Sequence, residues 1–226
     1  DEVCNKATAR GIRVTGSELV GLIPLKAMLD AGKYFLQKQN RSIGVSEKEL
    51  IKIAIKSMGL DELGTFKPEE RIIEYLLASK ADSKLISMQL DAFADETASE
   101  SPAPGGGSIA AYVGALGASL ASMVANLSSH KKGWDERWEE FSNWADKGQQ
   151  YKNELLKLVD ADTAAFNKIM EAFALPKSTT EEKSKRTEAI QSATKYAIEI
   201  PFKVMETAAA SMELVKAMAS IGNPNS

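Results

Sequence analysis

Three consecutive glycines, Gly105-Gly106-Gly107, lie between Pro104 and Ser108 where an apolar helix is about to begin. Glycine at such a point permits positive φ and lets a ligand approach the main chain. Ser108 reads as the N-cap, and the free N–H groups of the first turn would favour an anion or the polar edge of a ligand. A plain flexible connection between helices explains the same residues equally well. Asp160 and Asp162 are the second candidates. Asp162 falls on an apolar stripe between Leu158 and Ala165, whereas Asp160 points roughly half a turn away. A carboxylate on such a stripe must be paired, hydrogen-bonded or protonated. Desolvated acids of this kind cluster in active sites, and a structural ion pair with a lysine of another helix is the competing reading. His130-Lys131-Lys132 closes the helix that the glycines open. The lysines either offset the negative end of the helix dipole or receive a polyanionic tail on a ligand. His130 is either a proton carrier or a solvated helix end.

The elements that must hold these residues follow from periodicity. Glu2 to Arg10 reads as a helix stopped at Gly11, and Ile12 to Ile23 is β-branched enough for one strand or two short ones. Leu25 to Gln39 is helical. Ser46 with Glu49 forms a capping box before Leu50 to Met58, and Pro68 opens a helix over Glu69 to Ala78. Beyond about Lys80 the strand signal vanishes, and Leu85 to Thr97, Ser108 to Ser129, Trp134 to Phe173 and Thr180 to Ile221 all read as helices. The fold class is therefore mainly α: a small α+β piece at 1–80, then an all-α bundle at 81–226. One or two strands form no independent sheet, so the first piece leans on the later helices or has lost sheet partners upstream.

Within the bundle, the uncharged run Ile109 to Leu127 approaches the length of a membrane span at ~1.5 Å per residue. Ala110, Gly114, Ala118, Ser122 and Asn126 form a ridge of small and polar residues apart from Tyr112, Leu116, Leu120 and Leu127, which favours a buried central helix. The long helix after it carries an apolar stripe from Trp134 through Phe141, Leu155 and Ala165 to Phe173, suited to bundle packing. Pro201 interrupts the last helix at a cost of ~3 kcal/mol unless the helix is bent. It marks either a break or a kink that exposes carbonyls beside a pocket.

Composition narrows the partners. The chain has 226 residues, 44% hydrophobic and 26% charged, which describes a globular protein of one or two domains rather than a disordered one. A net charge of -3 makes nucleic acid or an anionic membrane no default partner. One cysteine and one histidine leave no intrachain disulfide and no zinc set, so no metal is expected and the compartment reads as cytoplasmic. The chain opens at Asp1 without a signal-like segment and reads as a fragment or processed product.

Several motifs in order carry a resemblance. Ala103-Pro104-Gly105-Gly106-Gly107-Ser108, Leu158-Val159-Asp160-Ala161-Asp162-Thr163-Ala164-Ala165-Phe166, Leu175-Pro176-Lys177 and the helix with Ile200-Pro201 resemble the cyclodeaminase/cyclohydrolase family of folate enzymes. Arg13 to Lys26 and Pro68 to Leu76 resemble the end of a glutamate formimidoyltransferase domain. Their order is similar to that of the bifunctional formimidoyltransferase-cyclodeaminase family. The resemblance implies transfer of a formimino group from formiminoglutamate to tetrahydrofolate in histidine degradation, then cyclisation to 5,10-methenyltetrahydrofolate with loss of ammonia. It implies Asp162 or Asp160 as acid/base, and Pro104, Gly105, Gly106, Gly107 and Ser108 along the folate. It implies Lys131 and Lys132 on a polyglutamate tail, and a homo-oligomer. The transferase half bearing a catalytic histidine has no counterpart here, and relatives continue past Ser226. Hydrolysis of methenyltetrahydrofolate and a non-catalytic oligomerisation module are the alternatives.

Overall fold

The computed structural model describes residues 2–77 and 85–226, and the backbone divides into two compact units, Asp1–Ala81 and Asp82–Ser226. The expected end of the Pro68 helix, at Ala78, lies outside the described residues.

In the first unit, α1 (Glu2–Thr8), α2 (Leu25–Lys38) and α3 (Glu47–Met58) precede α4 (Pro68–Arg71) and α5 (Ile73–Leu77). The Ser46 side chain accepts from the Glu49 N–H, and α3 ends on Gly59 at φ 67. A serine start and a left-handed glycine stop account for both ends of that helix. Met28, Ile51, Ala54 and Ile72 form its buried centre. Two expectations fail in this unit. Ile12 to Ile23 forms no strand, because among the described residues only Ile23 makes a β-bridge, a single parallel one to Ile72. The helix foreseen from Pro68 breaks at Ile72, whose extended backbone (φ -92, ψ 124) lets Ile23 bond Arg71 and Ile73 on either side.

The second unit packs three long helices: α7 (Gly106–Ser129), α8 (Trp138–Ala174) and α9 (Thr180–Ile221). A short 3₁₀ turn at Leu85–Ser87 and α6 (Leu90–Thr97) precede them where one continuous helix was expected, and a second turn at Asp135–Arg137 replaces the foreseen first turn of α8. The α9 start is a complete capping box, with Thr179 accepting from the Glu182 N–H and Glu182 accepting from the Thr179 N–H. α9 continues through Pro201.

Small residues let these helices approach closely, along a face that keeps Ala118 and Ser122 of the foreseen ridge but leaves Ala110 outside it. The buried face of α7 is Ala111, Ala115, Ala118, Ser122 and Ala125, and Ala110 is exposed. Strict spacing by four drifts about 40° per step around the helix, whereas alternating steps of four and three keep one face toward a partner. Gly148 of α8 crosses that face so closely that a Cβ there would lie 2.0 Å from Ser122 Oγ. Phe141 and Leu214 of one core cluster and Leu155 of the next are wholly buried, each such side chain contributing ~1.5–3 kcal/mol. α7 is long and apolar enough to cross a membrane by length and composition. Its opposite face carries Val113, Leu116, Leu120, Met123 and Leu127 in the open.

Candidate active site

The glycine run and Asp162 meet. α7 begins with Gly105 as N-cap in extended conformation (φ -90), so Ser108 is not the cap but stands three residues inside. Its cap comes from another helix: the Ser108 N–H donates to Asp162 Oδ2 at 2.9 Å. Ser108 Oγ is also 3.1 Å from that oxygen and 2.8 Å from the Val159 carbonyl. A hydroxyl has one hydrogen, so it serves one of these acceptors at a time while the amide holds Oδ2 throughout. Ser108 is fully buried. A charged acceptor on an otherwise unpaired first-turn N–H is the favourable arrangement at a helix N-terminus. Both Ser108 contacts land on Oδ2, and no hydrogen bond reaches Oδ1 among the described residues.

This geometry changes the reason for the glycines. None of the three has positive φ. Gly107 is required by contact instead: a Cβ there would lie 2.2 Å from Asp162 Oδ1 and 2.6 Å from its Cγ. Gly106 faces open space, and a Cβ on Gly105 would meet only Oδ2 at an ordinary 3.8 Å. Pro104 is buried and follows a cis peptide bond.

Asp162 lines a cavity of about 140 Å³ together with Pro102, Ala103 and Gly105 from the loop, Thr163, Phe166 and Ile169 from α8, and Ala197 from α9. Asp160, also half-buried, is not among its lining residues, because two helical steps turn it about 200° away. Phe166 and Ala197 escaped the sequence reading as site residues. Each had a local signal: Phe166 follows Asp162 by one turn, and Ala197 precedes Pro201 by four residues.

The lysines stand elsewhere. α7 separates Lys131 and Lys132 from the glycine loop by roughly 35 Å, so one chain does not bring them to Asp162. The Lys131 ammonium lies 4.0 Å from the centre of the Trp134 ring, which stacks on Phe141 with centroids 5.5 Å apart. His130 is the exposed C-cap residue of α7, with its N–H bonded to the Ser128 carbonyl. No group of three His, Cys, Asp or Glu side chains converges on a metal-sized site among the described residues.

Residues 89–226 match the sequence profile described as Formiminotransferase-cyclodeaminase, and residues 1–78 match the Formiminotransferase domain. The chain belongs to the formiminotransferase-cyclodeaminase family. It is 43% identical over 202 residues to the formimidoyltransferase-cyclodeaminase of Gallus gallus, covering 89% of this chain and 37% of that protein. It thus spans about two fifths of the length of such relatives. A methenyltetrahydrofolate cyclohydrolase of Methylorubrum extorquens is 37% identical over 136 residues, 60% of this chain and 65% of that one. Among solved structures, formiminotetrahydrofolate cyclodeaminase from Thermotoga maritima aligns with TM-score 0.54 and 30% identity, over 63% of this chain and 67% of its own. The profile match at 89–226 contains both the glycine loop and Asp162, and the cyclohydrolase and the solved cyclodeaminase are each named for a tetrahydrofolate compound.

Proposed function

We propose that the second unit carries the cyclodeamination of 5-formimidoyltetrahydrofolate to 5,10-methenyltetrahydrofolate and ammonia. The observation that supports this most is the carboxylate at the cavity: Asp162 is anchored through one oxygen to the α7 N-terminus, and its other oxygen has no hydrogen-bond partner among the described residues. Cyclisation forms a bond between folate N10 and the formimino carbon, and breaks the bond from that carbon to the departing nitrogen. N10 loses a proton and the departing nitrogen gains it, so one carboxylate serves as base and then acid. The neutral formimino group takes up one further proton, which gives the methenyl cation and ammonia in balance. Holding N10 against the carbon makes the attack intramolecular. The glycine loop bears the pterin edge in this reading, and Asp160 has no part in the chemistry.

The cavity is too small for a folate ring system, whose pockets run to roughly 300–1,000 Å³. We therefore assign the rest of the folate surface to a second copy of the chain in a homo-oligomer. The exposed apolar stripe of α7 and the exposed Ile198, Phe202, Met205 and Met212 of α9 favour such association. In an oligomer, Lys131 and Lys132 of another copy would serve a polyglutamate tail. Cytoplasmic folate metabolism in histidine degradation is the setting, with formimino transfer supplying the substrate.

Hydrolysis of methenyltetrahydrofolate is the second reading, favoured by the cyclohydrolase relative. Replacing Asp162 by Asn tests the first. Turnover of 5-formimidoyltetrahydrofolate, followed by methenyl absorbance, should fall ~10²–10⁴-fold with KM changed far less, while Asp160→Asn stays near wild type. Unchanged turnover in Asp162→Asn removes that residue from the mechanism, and turnover of the methenyl compound alone supports the hydrolase.

A further inference from the structure

Pro201 and Asp162 belong to one site through Ala197. Proline has no N–H, so the Ala197 carbonyl, four residues earlier, lacks the donor that an α-helix otherwise supplies. Ala197 lines the same cavity as Asp162. The two come from different helices, α9 and α8. The cavity thus has the Asp162 carboxylate on its α8 side and, on its α9 side, the residue whose carbonyl Pro201 leaves without its ladder donor, with walls that include Phe166 and Ile169. At about 140 Å³ it has the volume of four or five waters, room for a planar group of three heavy atoms but not for a pterin.

We infer that the Ala197 main-chain carbonyl is the second acceptor of the site and takes an N–H of the cationic formimino group while Asp162 handles the proton. This rests on the cyclodeaminase reading for the identity of the substrate, but the recognition itself needs only an N–H-bearing cation. The arrangement is selective, because an amidinium offers hydrogens to both acceptors whereas a carbonyl or formyl group offers none to Ala197. It also gives Pro201 a role that packing does not: an alanine there would make a better helix and would tie up the carbonyl.

The test uses formamidinium as probe and tetramethylammonium, a cation without N–H groups, at equal ionic strength as control. Binding to this chain is followed by chemical-shift perturbation in NMR. Wild type should bind formamidinium saturably and not the control, Asp162→Asn should abolish binding, and Pro201→Ala should weaken it at least ~10-fold with a thermal midpoint at or above wild type. Pro201→Gly, which also restores the N–H, should weaken it equally. Unchanged affinity in both proline variants overturns the assignment to Ala197, as does a wild type that binds neither cation or both alike. Specific formamidinium binding in a chain without turnover leaves this site standing and refutes the cyclodeaminase reading instead.

Discussion

Gly107→Ala is the perturbation that best separates a connecting loop from a built site. A Cβ at position 107 would lie 2.2 Å from Asp162 Oδ1, 2.6 Å from Cγ and 2.8 Å from Oδ2, where ordinary contact begins near 3.4 Å. The carboxylate must therefore retreat by more than ~1 Å, which breaks the 2.9 Å bond from the Ser108 N–H. Helix propensity alone favours alanine by about 0.5–1 kcal/mol at an interior position. Loss of the charged hydrogen bond costs about 1.5–3 kcal/mol, so the net change is a destabilisation of ~1–2 kcal/mol. For a chain of this size that lowers the thermal midpoint by ~2–8 °C. Turnover should suffer more, because a reacting group displaced by 1 Å loses ~10²-fold. Gly106→Ala is the internal control, since nothing lies within 4 Å of its Cβ position and both melting and turnover should stay near wild type. Melting by circular dichroism and methenyl formation would be measured on the pair. Equal behaviour of the two variants would refute the steric argument and return the glycines to a flexible connection.

Two further outcomes follow from the same physics. Backbone N–H groups of Thr179 and then Ser178 hold the Glu182 carboxyl below its ordinary pKa. A depressed folded pKa stabilises the first turn of α9 above the ordinary carboxylate range and loses that effect as pH falls through the lower folded value. Amide exchange at 180–183 should therefore quicken as pH drops from about 6 to about 3, once corrected for intrinsic rates, and Glu182→Gln should remove that excess. Leu120 is 62% exposed beside Met123 on the open face of α7. Leu120→Glu should shift sedimentation toward the monomer without lowering helicity, and an unchanged oligomer would place the interface elsewhere.

The sequence made the long helices legible because their apolar periodicity runs for several turns and their ends carry local chemistry. Thr180 to Ile221 is the clearest case, and the Thr-x-x-Glu pattern at Thr179 that starts it is equally local. Failures came where a distant residue overrules a local rule. Ile12 to Ile23 has strand composition, but composition does not supply strand neighbours, and among the described residues only Ile23 makes a β-bridge, to Ile72. Ser108 obeys the N-cap rule by type, yet Asp162, 54 residues later, caps the helix from outside and frees the serine to turn inward. The same contact explains Gly107 by space rather than by φ, which no one-dimensional rule encodes. Asp162 was separable from Asp160 by helical phase, but its partner was not. Pro201 was visibly irregular in sequence, and its meaning depended on what lay beside Ala197. The packing of α7, α8 and α9 brings Gly105 of the glycine run, Asp162 of the apolar stripe and Ala197, one turn before the proline of α9, to one cavity. Each carries a local cost, and the proposed shared use by one substrate group accounts for all three together.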